Sequence, residues 1–570
     1  MNLSPEQRAI GRENFAAAIG SRKVRGKFLT TAIRQGVASS AGLGPYYYGY
    51  GKSVDRPVRV GVLGTGDEGS VLIGAINPKF IEVVAIADIR PYNIHRAFHG
   101  DYYSPTALAV RCGLMAKYGW ITEEDARGHV KVYGDWRELL AEEKNVEAVI
   151  IALPLHLHAP AAIAAMRAGL HVLTEKLMGH GVRDCKQMAR AAEQTGKYLA
   201  TGHQRHYNVL YDNAYKLIES GLLGDLHYIR AQWHRGNLPG SDSWQQPMPR
   251  SVKPGDKLAG KLDEELAAWE RQLKNPKEKN NWPLWEKRIA QKKKQIEDEL
   301  IKDTVKDYGY EAVSITDSGK TLYSGPPMEE LIRWRLWNRT GGGLMAELGS
   351  HQLDAASIFI SAMHDGVKQM PLCVMAAANR PLFPPDRDVE DHVYCLFEFP
   401  GKDYDFKKDP NDPVNRRQRI SVAYASINGN GFGGYGETVF GTEGTLLLEQ
   451  EQEALLFRGV AVDDKIRVTE NKAKKPVLVS DAAGDPTAAA LGSHALAGEI
   501  SRGYTEELEH WAWCIRNPAP ENQPHCHPKV ALADAVIALT TNLAAREGRR
   551  IEFQPEWFDP ESDETPDAKG

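Results

Sequence analysis

Hydrophobic positions along the first half of the chain arrive in short apolar runs separated by amphipathic stretches. Val58–Leu63, Ile81–Ala87, Val130–Tyr133, Val146–Leu153, His171–Thr174 and Lys197–Gly202 read as strands. Their β-branched and aliphatic character, continuous in Val146–Leu153, marks strands buried on both faces. Between them, Ser104–Tyr118, a segment opened by Asp135 as N-cap, Pro160–Gly169 and Asp184–Gly196 carry helical periodicity. Strands alternating with helices predict a doubly wound parallel sheet over residues 56–208. From Gly221 the pattern changes. Strand-like alternation returns at Tyr228–His234, Val389–Phe399, Ile420–Ile427, Glu437–Glu449 and Ala454–Phe457, and helical periodicity closes the chain at Glu506–Asn517 and Pro528–Gly548.

This second part is interrupted. Over residues 240–335 a highly charged segment places Leu258, Leu262, Leu266, Trp269 and Leu273 three or four apart, and Trp285, Ile289, Ile296 and Leu300 repeat the pattern after Asn280-Asn-Trp-Pro283. The spacing predicts an antiparallel helical hairpin, read as a structural or oligomerisation insert. Residues 1–55 form an N-terminal arm. Within it, Ser21–Ala41 resembles a twin-arginine export signal, although Gly26 splits the basic pair and Arg34 interrupts the apolar part. The reading is therefore a retained arm and a cytoplasmic protein, with periplasmic export if that stretch functions. Its Gly44–Tyr50 tyrosine cluster is expected to pack on a neighbouring surface. The acidic tail, residues 554–570, has too few apolar residues beyond Phe558 to pack and is expected to be disordered.

At 570 residues the chain exceeds one core. A formal net charge of −5 carries no basic excess, so nucleic acid is not an expected partner. No apolar run reaches the length of a membrane span. The six cysteines show no framework spacing and read as free thiols. His525-Cys526-His527 has the wrong spacing for a structural zinc site, and no metal is expected.

The chemistry starts at Gly64-Thr65-Gly66-Asp67-Glu68-Gly69, between a strand and a helix. In G-x-G-x-x-G the first glycine makes the turn, the second admits a pyrophosphate, and the third lets helix pack on strand. Phosphates would rest on the helix N-terminus. The next strand ends in Asp88, where a carboxylate accepts from both ribose hydroxyls and repels a 2′-phosphate. That favours NAD, although Arg90 stands close enough to pair with the phosphate of NADP.

Gly64–Gly69, Ala152-Leu153-Pro-Leu-His156-Leu-His158 and Ala168-Gly-Leu-His-Val-Leu-Thr-Glu175-Lys176 resemble, in order and spacing, the glucose–fructose oxidoreductase / inositol dehydrogenase family (Gfo/Idh/MocA). The resemblance resumes at Gly341–Asp354 and at the Gly-Thr-Glu-Gly turn of 441–444. It implies an α/β protein with a Rossmann half and a C-terminal α/β half on an open, largely antiparallel sheet. It further implies a nicotinamide-dependent enzyme acting on a sugar, glycoside or cyclitol. Two positions depart from the family's pattern: Leu177 replaces the proline after Glu-Lys, and Glu347 stands where an aspartate is usual.

Oxidising a secondary alcohol needs a group that takes the hydroxyl proton and a donor that steadies the developing alkoxide. Glu347, His351 and Asp354 are spaced to share one helix face. His351 is the natural base, with Glu347 or Asp354 orienting it, and Lys176 could donate to the oxygen. The resemblance makes Lys176, Glu347 and His351 the catalytic set. Leu153, His156, His158 and Glu175 are expected beside the cofactor, and Gln204, Arg205, Trp233 and Asp354 at a small carbohydrate substrate. A redox-neutral glycosidase working through a transient ketone, and a non-catalytic sugar or nucleotide sensor, are the alternatives. The exposed face of the open sheet is expected to make a homo-oligomer contact.

Overall fold

The computed structural model describes residues 3–21, 24, 44–480, 486–496 and 501–567 of the 570. Most of the export-signal-like stretch lies outside the described residues. Strands β1 (Val58–Leu63), β2 (Ile81–Ala87), β3 (Lys131–Tyr133), β4 (Ala148–Ile151), β5 (His171–Glu175) and β6 (Leu199–Gly202) form a parallel sheet in the order β3-β2-β1-β4-β5-β6. The order reverses between β1 and β4, opening a crevice above their carboxyl ends. Val60, Val62, Val149 and Ile150 are fully buried within it, which is why these strands read as unbroken apolar runs. The expected helix over 104–118 is instead two, Pro105–Val110 and Gly113–Tyr118, because Gly113 adopts φ 79° and breaks the turn.

The second half is built on β7 (Leu226–Arg235). After the hairpin β8 (Val313–Asp317) and β9 (Lys320–Gly325) come β10 (Cys373–Asn379), β11 (His392–Pro400), β12 (Arg419–Asn428), β13 (Tyr435–Gly441), β14 (Gly444–Glu449) and β15 (Glu453–Arg458). The hairpin β16 (Ile466–Glu470) and β17 (Pro476–Ser480) follows, and β18 (Ile551–Glu552) ends the series. The large sheet runs β15-β14-β13-β7-β12-β11-β10-β18, antiparallel except where β7 meets β12. One face is covered by the helices Ser350–Ser361 and Pro528–Glu547, while Met375, Tyr394 and Leu396 stand exposed on the strands.

In the insertion, helices Lys261–Gln272 and Trp282–Glu297 pair through Trp269 on Trp285 and Lys292 to Glu265. The second helix lies on the Rossmann helix Pro91–His99, where Gln291 Nε2 donates to Asp101 at 2.8 Å and Arg288 Nε to the Tyr102 carbonyl at 2.9 Å. The insert is therefore fastened to the nucleotide-binding half. The N-terminal helix Pro5–Gly20 carries a Ser4/Gln7 capping box and crosses β15, with Arg8 paired to Glu449 and Glu453. Tyr48 of the tyrosine cluster packs edge-on against Tyr207 and His525 of the same chain.

The acidic tail is ordered through residue 567, contrary to expectation. Its backbone makes most of the hydrogen bonds: Lys186 Nζ donates to the carbonyls of Glu556, Ser562 and Glu564, and Arg190 to those of Pro560 and Ser562, with the Asp563 carboxylate also accepting from Arg190. All six cysteines are unpaired, and no helix among the described residues is long and apolar enough to cross a membrane.

Candidate active site

The three glycines have distinct surroundings. A Cβ on Gly64, whose φ is 84°, would lie 2.5 Å from the Ala152 carbonyl oxygen, and one on Gly69 would lie 2.1 Å from that of Gly64. At Gly66 a Cβ would meet only Asn93 Nδ2, at 3.7 Å. Gly66 therefore faces an open cradle at the start of helix Asp67–Ala75, as a bound pyrophosphate requires. The two acidic residues beside it also line the cleft. Asp67 pairs with Arg96 at 2.8 Å; burial opposes its ionisation, but Arg96, Arg111 and Arg335 hold it well below the usual carboxylate range. Burial pushes Glu68 up, with Lys176, Arg111 and Arg335 opposing.

At the adenosine end, Asp88 accepts from the Thr65 backbone N–H at 2.8 Å, from the Arg90 N–H at 2.9 Å and from Asn93 Nδ2. The Arg90 side chain points elsewhere, donating through Nε to Asp298 of the insertion at 2.9 Å. That pairing engages the guanidinium that its sequence position offered to a phosphate, although Arg90 still lines the cleft. Tyr308, Tyr310, Leu331 and Ile332 of the insertion, with Trp136 of the Rossmann half, complete the walls of this cleft.

At the other end, two distant stretches meet. Lys176, after β5, sends its Nζ across to donate to the Glu347 carbonyl at 2.7 Å and lies 4.0 Å from Glu347 Oε2. The following peptide, Lys176–Leu177, is cis. Glu347 accepts from Arg335 Nε at 2.8 Å; although burial opposes its ionisation, Arg335, Lys176 and Arg235 bring it down to about 2. Glu175 is pushed well up by burial and by Glu68. His158 is buried, with ring nitrogens 2.9 Å from the Leu177 carbonyl and 2.8 Å from that of Leu153. A neutral imidazole donates through one of these, tying the loops after β4 and β5 together. His156 instead turns its ring edge-on to Tyr310, outside the cleft lining.

His351 lies one turn beyond Glu347, 7% exposed, with Trp233 packed at 5.4 Å and its Nδ1 without a partner. Burial, then Lys176, Arg205 and His203, push its pKa well down, which favours the neutral ring. It sits behind the cleft lining formed by Lys176, Ala346 and Glu347. Three residues expected at the substrate are interior groups. Gln204 and Arg205 are 1% exposed and face Glu451, which accepts from Arg205 Nε at 3.0 Å; Asp354 is fully buried against His206 and Lys368. Each has a partner at one atom, while Gln204 Oε1, two Arg205 nitrogens and Asp354 Oδ2 have no hydrogen-bond partner.

His206, Asp354 and Asp534, and likewise His203, Cys526 and Asp534, bring ligand-type atoms within 4.8 Å. The ammonium of Lys368, 3.1 Å from Asp354 and 2.5 Å from Asp534, already takes the place of a cation there. Residues that sequence reasoning missed are Asn93, Arg335, Arg235 and the insertion's Tyr310. The clustered Arg333-Trp-Arg-Leu-Trp337, close before the glycine turn, was the one available signal for Arg335.

Residues 58–203 match the family model described as an oxidoreductase family with an NAD-binding Rossmann fold. A glycosyl hydrolase family 109 protein of Stenotrophomonas maltophilia is 31% identical over 210 residues, 35% of this chain and 42% of that protein. A dTDP-3,4-didehydro-2,6-dideoxy-alpha-D-glucose 3-reductase of Streptomyces violaceoruber is 30% identical over 158 residues, 27% of this chain and 43% of that one. The chain thus spans about two-fifths of the length of these curated relatives. The crystal structure of an oxidoreductase domain protein from Kribbella flavida shares the fold, with a TM-score of 0.51 and 15% identity over 87% of this chain and 99% of that one. With its three glycines, Asp88 and open cradle, the segment 58–203 is the NAD-binding Rossmann domain of the Gfo/Idh/MocA oxidoreductase family.

Proposed function

We propose that this chain is an NAD(P)-dependent oxidoreductase, with NAD preferred, that moves hydride between the nicotinamide and a secondary alcohol of a sugar, glycoside or cyclitol. The observation that carries the reading is the meeting of Lys176 and Glu347, from opposite halves of the chain, at the end of a dinucleotide cleft. Bound there, the cofactor supplies the hydride acceptor. Lys176 offers an N–H to the substrate oxygen and steadies the alkoxide. Neutral His351 takes the hydroxyl proton. Glu347, held ionised among Arg335, Lys176 and Arg235, fixes the lysine's position. Native mass spectrometry should find NAD bound to the purified protein, and a panel of sugars and cyclitols should include one that yields NADH. Lys176→Met should lower that turnover by about a hundredfold or more with the dinucleotide retained. No bound dinucleotide and no turnover with any of them would overturn the reading.

A second reading, a redox-neutral glycosidase that keeps its NAD, is favoured by the way the insertion walls the adenosine end through Asp298 and Tyr310. The name of the Stenotrophomonas relative points the same way. Sugar release without NADH accumulation separates it from the first.

A further inference from the structure

Behind His351 lies a second set of ionisable groups that the cleft does not use. His203, just after β6, sets its ring 6.2 Å from that of His351, edge to face. Its side chain is fully buried and neither ring nitrogen has a hydrogen-bond partner. Nδ1 lies 3.6 Å from Asp354 Oδ2, and Nε2 lies 4.0 Å from Asp534 Oδ2. On its other side Asp354 Oδ1 lies 3.0 Å from His206 Nε2, and the His206 side chain is 15% exposed. A line of four titratable groups therefore runs from the acid–base position to the protein exterior.

Buried polar atoms are nearly always paired. Here His351 Nδ1, both His203 nitrogens and Asp354 Oδ2 are all without hydrogen bonds, in one contiguous cluster. The gaps at His203, 3.6 and 4.0 Å, are longer than hydrogen bonds. Such an arrangement suits groups that must let go of one neighbour before taking another.

We propose that His203, Asp354 and His206 form a proton path that carries away the proton accepted by His351. The proposal rests on His351 as the acid–base group. When the alcohol is oxidised and the dinucleotide reduced, the hydroxyl proton binds one nitrogen of His351 and the proton on Nδ1 passes to His203. His203 releases the proton of its Nδ1 to Asp354, which hands it to His206 in the tautomer with Nε2 unprotonated, and His206 gives up its Nδ1 proton to solvent. Each imidazole returns to neutrality, and the path stores no charge.

The surrounding charges fit this direction. Lys176 and Arg205 disfavour a lasting imidazolium at His351, and burial brings His203 down to about 3 with Asp354 opposing. Asp354, despite burial, is held ionised by His206, Lys368 and His203. Asp534 is pushed well up by burial and by Asp354, while the Cys526 thiol and the Glu507 carboxyl are pushed up by burial. His525 and His527, which flank His206, are both lowered by burial.

The test uses the full chain with its co-purifying dinucleotide. His203→Asn should slow turnover by about tenfold to a hundredfold, and added imidazole should restore part of the loss. His206→Ala, near the surface and safer for folding, should shift the acid limb of the pH–rate profile. Independently of turnover, ¹⁵N NMR of the histidine rings should show the His203 signals moving when His206 is replaced. Wild-type rates and pH profiles in both variants, or unmoved His203 signals in His206→Ala, would overturn the path. Full turnover in His351→Ala would instead remove the acid–base reading, and the path with it.

Discussion

Arg90 and Asp298 are 208 positions apart in sequence, yet the guanidinium Nε donates to the carboxylate at 2.9 Å. The same carboxylate accepts from the Tyr92 backbone N–H at 3.1 Å. One buried acidic side chain thus pins the charged insertion to the Rossmann turn that follows β2. Asp298→Ala leaves a buried cation unpaired and should cost about 3–5 kcal/mol of stability. Release of the dinucleotide should quicken as well, because the insertion walls the adenosine end of the cleft. Thermal unfolding and stopped-flow measurement of cofactor release check the two effects separately; an unchanged release rate would mean the insert does not hold the nucleotide.

Cofactor choice follows from the same pair. Asp88 repels a 2′-phosphate, but replacing it alone supplies no positive partner, since Arg90 is committed to Asp298. Asp88→Ser should therefore weaken NAD binding about tenfold or more without gaining NADP. Asp88→Ser combined with Asp298→Ala frees Arg90 and should gain NADP binding. Calorimetric titration of both dinucleotides on both variants decides it.

The Rossmann half was legible because each of its signals is local: the glycine turn, the strand ending in Asp88, and unbroken apolar strands all lie within short windows. The carbohydrate-side groups were read as types but not as positions. Gln204, Arg205 and Asp354 looked like substrate contacts because polar residues follow strands or share a helix face with His351. Their partners Glu451, His206 and Lys368 come from elsewhere in the chain, and no local pattern announces such pairings. The insertion was legible as a hairpin, but its docking on helix Pro91–His99 depends on Gln291 and Asp298, two polar residues in a strongly polar segment. Ordering of the tail was invisible for a related reason: apart from the Asp563 carboxylate, its hydrogen-bonding anchors are backbone carbonyls, which every sequence possesses.

Acid titration offers a test of the Glu347 environment. Its folded pKa, about 2, lies below the ordinary value of 4.5, so its ion pairing stabilises the fold above about pH 4.5 and that stabilisation is lost as pH falls towards 2. A depression of this size corresponds to about 3 kcal/mol. Glu347→Gln should lose that contribution at neutral pH, leaving Arg335, Lys176 and Arg235 without their shared anion. Its stability should then fall less steeply than wild type between pH 4.5 and 2. Equal slopes in denaturant titrations across that window would show that Glu347 is not the carboxylate responsible.

The carboxyl-terminal tail is held by Arg190 and by one nearly inaccessible lysine. Lys186 is 2% exposed and donates three hydrogen bonds, at 2.7, 2.9 and 2.7 Å, to carbonyls spread over residues 556–564. Lys186→Met keeps the apolar stem and removes all three donors, so three carbonyls lose charge-assisted partners. The expected loss is about 2–4 kcal/mol of local stability, confined to the tail because β18 and the preceding helix keep their own contacts. Limited proteolysis should then cut beyond Phe558 in the variant and not in the wild type, while the Rossmann half stays intact. Deleting residues 556–570 instead strands the ammonium in a site shaped for backbone oxygen, and that truncation should lower the unfolding temperature more than Lys186→Met does.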